Sequence, residues 1–152
     1  MSVGMTGTRS VTGGCIDATL VVRILDGDSA AMAVWERLMQ SGGELIAPSL
    51  LPYEVANALH RQQRLAKITA ETAQDGLRRV LRLPIELHGD AQLHSRALEI
   101  AYERTLLATY DAHYVALAER FRVPLWTCDR RLAKEMVGGL PEVHLIVMDR
   151  DE

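Results

Sequence analysis

The apolar positions of this chain fall into two rhythms. "GCI", "ELIAP", "PIELH", "LWTC" and "EVHLIVM" are short apolar runs that read as strands. Between them lie longer segments whose apolar residues recur every three or four positions, the spacing of one helix face. "GCIDATLVVRIL" begins as a strand ending at Asp17 and is interrupted at Gly27. Asp28 is placed to cap a helix over "SAAMAVWERLMQ", which Ser41, Gly42 and Gly43 stop. Ser49 is placed to cap "LLPYEVANALHRQQRLAK", with Pro52 in the first turn, where a missing N–H costs little. Thr69 caps "TAETAQDGLRRVLRL" and Asp90 caps "DAQLHSRALEIAYERTL". "LLATYDAHYVALAERFRVPLWTCDRRLAKE" then reads as helix, strand, helix. Short strands separated by helices predict an α/β chain with a parallel sheet covered on both faces. The Gly, Ser and Thr content of residues 1–13 predicts a flexible tail, and residues 14–152 read as one domain without repeats or linkers.

Four carboxylates break this pattern. In open parallel sheets, ligands gather outside the carboxyl ends of the strands, where the strand order reverses. Asp17 follows "GCI" and Asp129 follows "LWTC", so both stand at such ends. Glu54 falls on the apolar stripe of Leu50, Leu51, Val55, Ala58 and Leu59, not opposite it. Asp111 extends the stripe of Tyr114, Val115, Ala118 and Phe121 toward the start of its helix. Taken singly, these acids have plain structural readings. Asp129 suits the cap of "RRLAKEMV", Asp17 a turn after a strand, and Asp111 a favourable charge at a helix N-terminus. Glu54 is harder to explain this way, because glutamate is rarely buried without a partner.

Together, four carboxylates at one edge of a sheet would repel one another, and some would take up protons. A hard divalent cation relieves that repulsion, and Mg²⁺ or Mn²⁺ prefers carboxylate and water oxygens. Such a site can activate a water and steady the leaving oxygen of a phosphodiester. The pattern therefore predicts metal-dependent phosphodiester hydrolysis.

Composition narrows the picture without changing it. The 152 residues are 48% hydrophobic and 24% charged, which fits a folded domain rather than a disordered chain. No apolar run reaches the roughly 20 residues of a membrane helix, and "MSVGMTGTRSVTGG" lacks the apolar middle of a signal peptide, so the expected location is cytoplasmic. The net charge of −3 argues against tight, nonspecific adhesion to nucleic acid but allows a basic rim around an acidic pocket. Arg130 and Arg131, beside Asp129, are the candidates for contacts to substrate phosphates. Cys15 and Cys128 form no CxxC pair and read as free, buried, reduced thiols. The histidines at 60, 88, 94, 113 and 144 show no zinc-ligand spacing. His113 reads as a surface or interface residue, and Trp126 as strand core.

The segments "IDATLVVRIL", "PSLLPYEVANAL" and "YDAHYVALAERFRVPLWTCDRRL", with the spacing between them, resemble the PIN-domain ribonucleases. The nearest likeness is to the VapC-like toxins of toxin–antitoxin pairs. The resemblance runs from Gly14 to Met148. It implies a three-layer α/β/α sandwich with a five-stranded parallel sheet in the order 3-2-1-4-5. It also implies an acidic pocket that holds Mg²⁺ or Mn²⁺ and cleaves RNA with a metal-activated water. By position, the four acids are Asp17, Glu54, Asp111 and Asp129, each catalytic and metal-binding. Thr19 and Thr127 match small hydroxyl positions beside them. Asn57 matches a polar position one turn after Glu54, where it could orient a carboxylate or simply face solvent. The implied partners are an RNA substrate, a small cognate antitoxin and a second copy of the chain; a membrane is not among them.

Two other classes compete. A noncatalytic phospho-receiver also has an acidic Mg²⁺ pocket, but it would place paired acids after the first strand and a Lys after the last. Asp17 stands alone, and "LIVMDRDE" contains no Lys. A degenerate RNA-binding module would not need all four acids. A nuclease directed at DNA would share every one of these features.

Overall fold

In a computed structural model, which describes residues 13–147, strand β1 (Gly14–Ile16) is buried at every position and occupies the centre of the sheet. β2 (Leu45–Pro48), β3 (Ile85–His88), β4 (Leu125–Thr127) and β5 (Val143–Leu145) complete a parallel sheet in the order β3-β2-β1-β4-β5. Cys15 pairs with Ile46 on one side and Leu125 on the other, and Ile16 pairs with Trp126. The order reverses between β1 and β4, because successive strands leave that pair in opposite directions. A crevice therefore opens at the carboxyl ends of these two strands. A phospho-receiver of the flavodoxin type has the order 2-1-3-4-5 instead, so the topology excludes that alternative.

Among the described residues seven helices flank the sheet: α1 (Ala18–Leu25), α2 (Ser29–Gln40), α3 (Leu51–Arg64), α4 (Ala70–Leu81), α5 (Ala91–Glu103), α6 (Thr109–Phe121) and α7 (Arg130–Glu135). α1 packs on β4, α2 and α3, and α3 on α4; α6 lies against β1, β2 and β4 with α5 beside it. The result is the three-layer sandwich with helices on both faces. α6 is the most enclosed helix, with Ala112 and Tyr114 through Ala118 all buried. Its small residues let it lie close to the sheet, and Cys15 Sγ points at the Tyr114 carbonyl at 3.6 Å.

Most boundaries follow the capping chemistry. Asp28, Thr69 and Asp90 each accept a hydrogen bond from a backbone N–H in the first turn of their helix. Ser49 does not cap α3. Leu50 takes the cap position in helical backbone without a side-chain cap, and the Ser49 N–H instead donates to the His88 carbonyl at 2.8 Å. α3 stops at Arg64 and α5 at Glu103, each earlier than the apolar spacing suggests, and Ala66 and Thr105 just beyond take positive φ. β3 is a half-exposed edge strand, and Phe121, expected on the buried stripe of α6, is exposed at that helix's last residue. β5 is three residues long, and the far end of "EVHLIVM" at Met148 lies outside the described residues, as do residues 1–12 of the expected tail. No described helix is long and apolar enough to cross a membrane.

Candidate active site

Asp17 directly follows β1 and caps α1. It is 4% exposed, and its carboxylate receives three donors. The Thr19 hydroxyl donates to Oδ1 at 2.6 Å, the Leu20 N–H to Oδ1 at 3.1 Å, and the Thr127 hydroxyl to Oδ2 at 2.5 Å. Each threonine hydroxyl has one proton, so both are spent on Asp17. The lone pairs of the two hydroxyls face the turn that leaves β4. Thr19 accepts from the Cys128 N–H at 2.9 Å, and Thr127 accepts from the Asp129 N–H at 2.9 Å. Thr19 and Thr127 thus tie the end of β1 to the turn that carries Asp129. Burial still dominates the Asp17 carboxyl and pushes it up to about 6, against the lowering effect of its three donors; Asp111 adds repulsion.

Asp129 caps α7 through one oxygen, Oδ1, which accepts from the N–H groups of Arg131 and Leu132 at 3.0 and 3.2 Å. Capping and metal binding are compatible here, because a carboxylate has a second oxygen.

Glu54 and Asp111 come from opposite layers. Glu54 lies in the first turn of α3, half-buried among Leu51, Val55 and Leu59, which are buried. Asp111 lies in the first turn of α6, beside buried Ala112. Tyr114, one turn after Asp111, is buried and donates its hydroxyl to Glu54 Oε1 at 2.7 Å. A buried tyrosine hydroxyl needs a partner, and here the partner is the acid across the crevice. Burial raises the Glu54 carboxyl above its ordinary value; Tyr114 lowers it, and Asp111 raises it. Asp111 is raised as well, by burial first and then by Asp129, while Arg131 lowers it and Glu135 raises it. The Arg131 guanidinium stands 3.6 Å from Asp111 Oδ2.

The four acids therefore share one electrostatic neighbourhood: Asp17 and Glu54 each feel Asp111, and Asp111 feels Asp129. Among the described residues, no three acids close tightly enough to enclose an ion by themselves. The donor set still fits a hard divalent ion that keeps several of its waters, the usual habit of Mg²⁺. Asn57 is exposed on α3 and, among the described residues, hydrogen-bonds to none of the acids. Cys15 is buried, and burial pushes its thiol well up, while Cys128 is half-buried; neither forms a disulfide.

Two of the contacts that the sequence does not show touch Glu54 and Asp111 directly. Tyr114 looked like an ordinary core residue, although a tyrosine at a core position, one turn from an acid, signals a hydroxyl with a task. The pairing of Arg131 with Asp111 had no signal, because it depends on how α7 leaves β4.

A parallel sheet of this order with acids around its switch point defines a PIN domain, and the family described as PIN domain matches residues 14–135. The chain belongs to that family and, within it, to the VapC proteins. It is 36% identical over 133 residues to Ribonuclease VapC1 of Mycobacterium tuberculosis, covering 86% of this chain and 96% of the relative. It is similar in structure to a protein from Pyrobaculum aerophilum, with a TM-score of 0.63 and 28% identity, over 86% of this chain and 90% of that one. The VapBC2 structure from Rickettsia felis, bound to a DNA fragment from its promoter, shares the fold alone, with a TM-score of 0.67 at 13% identity over 90% of this chain and 100% of that one.

Proposed function

We propose that this protein is a metal-dependent endoribonuclease, the toxin of a VapC-type toxin–antitoxin pair. The observation that supports the reading is that Asp17 and Asp129 follow the carboxyl ends of β1 and β4 while Glu54 and Asp111 stand in the first turns of α3 and α6, with Tyr114 of α6 bonded to Glu54 and Arg131 beside Asp111. The ribonuclease name of the VapC1 relative, similar over most of both chains, supports the substrate class.

Asp17, Glu54, Asp111 and Asp129 would hold Mg²⁺ or Mn²⁺, directly or through its waters. The bound ion would supply an activated water and neutralise charge on the phosphodiester. The protein's own groups do the positioning. Thr19 and Thr127 hold the Asp17 carboxylate by both oxygens, so it cannot rotate away from the crevice. Tyr114 donates to one oxygen of Glu54, and a carboxylate has a second oxygen with which to meet the ion. Arg131 gives Asp111 a cationic partner and lies where an incoming phosphate could be met. Restraint by a small antitoxin and assembly as a homodimer belong to the same proposal; a toxin–antitoxin complex from Klebsiella pneumoniae that shares this fold supports the first.

The test is cleavage of a mixed RNA pool by the purified protein with Mg²⁺ or Mn²⁺. Cutting should disappear in EDTA and in Asp111→Asn. Cutting that survives both would remove the four-acid site from the reaction.

A further inference from the structure

Beside the acidic crevice, at the carboxyl ends of β2 and β3, lies a cavity of about 250 Å³. It is lined by Leu50, Tyr53, Leu93, His94, Tyr110 and His113 among others. Tyr53 immediately precedes Glu54 in the first turn of α3, and Tyr110 immediately precedes Asp111 in the first turn of α6. The two helices that bring acids to the crevice thus bring one tyrosine each to the cavity next to it. Both rings are left in solvent, Tyr53 75% and Tyr110 59% exposed, so neither is needed by the core.

The cavity is small, below the roughly 300–1,000 Å³ usual for drug-sized ligands, which suits a single planar ring. Its polar wall is fixed. His113 Nδ1 lies 2.6 Å from the Thr109 carbonyl, which can only accept, so this nitrogen donates. In a neutral ring Nε2 must then accept, and its partner at 2.8 Å is His94 Nδ1. The chain of donors leaves Nε2 of a neutral His94 as an acceptor, suited to an amino or imino N–H on a base edge. Apolar lining, exposed aromatic rings and one polar edge are the means by which proteins hold unpaired bases.

We propose that this cavity is a base-binding subsite, which takes one unpaired base next to the cleaved phosphodiester and stacks it on Tyr53 and Tyr110. The proposal rests on the ribonuclease reading and adds its specificity element: single-stranded RNA, read at one base beside the cut.

The experiment measures binding of labelled homopolymeric oligoribonucleotides, and of an all-abasic chain of equal length, by fluorescence anisotropy. It uses the Asp111→Asn protein with Mg²⁺, so that cleavage does not intervene. At least one base-bearing chain should bind roughly five- to a hundred-fold tighter than the abasic chain, the range one base–aromatic stack supplies. Tyr53→Ala and Tyr110→Ala should each remove most of that excess and leave abasic binding unchanged, and Tyr53→Phe and Tyr110→Phe should restore it. Both tyrosines are exposed, so the variants should melt like the parent. An excess that survives both alanine changes overturns the subsite, as does equal binding of abasic and base-bearing chains. Wild-type protein that cuts RNA without showing the excess loses the subsite and keeps the nuclease. A tyrosine-dependent excess without any cutting keeps the subsite and removes the nuclease.

Discussion

The hydroxyl of Tyr114 and the carboxylate of Glu54 are 2.7 Å apart and join the two helical layers above the carboxyl edge of the sheet. Tyr114→Phe keeps the ring in the core and removes only this bond. Glu54 should then rise further in pKa, since it loses the one partner that lowers it. Loss of such a supporting bond typically costs about 10- to 100-fold in metal affinity or activity. We expect that loss in RNA cleavage with little change in the far-ultraviolet circular dichroism. Full activity in Tyr114→Phe would make the bond a packing feature only.

Thr127 is fully buried, and it both donates to Asp17 and accepts from the Asp129 N–H. Thr127→Val conserves the shape and removes both bonds. Hydrogen bonds to charged groups contribute about 1.5–3 kcal/mol each, so a loss on that order is expected. For a domain of this size that means a fall in Tm of roughly 2–4 °C per kcal/mol. Thr19→Val should fall less, because Thr19 is only half-buried. Calorimetric melting of the two variants side by side decides it; equal and negligible shifts would mean the hydroxyls hold nothing.

Stability of the metal-free protein should fall as pH rises through the Asp17 range. The Asp17 carboxyl stands at about 6 in the fold against an ordinary 3.8. The folded state therefore binds this proton more tightly than the unfolded chain, and between about pH 4 and 6 each step up in pH favours unfolding. The full effect is roughly 3 kcal/mol. Glu54 and Asp111, raised as well, act in the same sense. Asp90 and Glu119, held below the ordinary range by Arg120 and Arg96, oppose it below their ordinary values of 3.8 and 4.5, so they matter only at the acid edge of this window. Melting in EDTA across this range should show the decline. Mg²⁺ or Mn²⁺ should raise Tm more at pH 8 than at pH 5, since the cation offsets the repulsion that the missing protons leave. A pH-independent gain from metal would place the ion elsewhere.

Arg131 lies at the rim with its guanidinium near Asp111. If it meets an RNA phosphate, Arg131→Gln should weaken RNA binding uniformly across sequences. It should also flatten the dependence of log K on log salt by about 0.7, the value of one contact to a single strand. An unchanged slope would confine Arg131 to its pairing with Asp111.

Much of this was legible in the sequence, for physical reasons that differ by residue. Asp28, Thr69 and Asp90 announced helix starts because a cap is a local bond within three residues. Glu54 was conspicuous because a charge on an apolar stripe has to be accounted for by something outside its own helix. Ser49 misled because it has the right chemistry for a cap, but the cap position falls one residue later, on Leu50, while Ser49 is held at the end of the sheet by its bond to His88 of β3, which is remote in sequence. The same remoteness hid the bonds of Thr127 to Asp17, Tyr114 to Glu54, and His94 to His113. Each links segments whose separation along the chain carries no periodic signal.

Asp17 differs from the other acids in being both a helix cap and the anchor of the two threonine hydroxyls. That dual role sets the fate of inactivating changes. Alleles that silence the protein at Asp111, which no buried hydroxyl depends on, should accumulate as a folded, harmless chain that still presents its surface to a partner. Alleles that replace Asp17 by an apolar residue, which leaves both threonine hydroxyls and the Leu20 N–H without their acceptor, should tend to vanish from the cell by degradation. A collection of spontaneous escape mutants, sorted by protein abundance, should divide along that line.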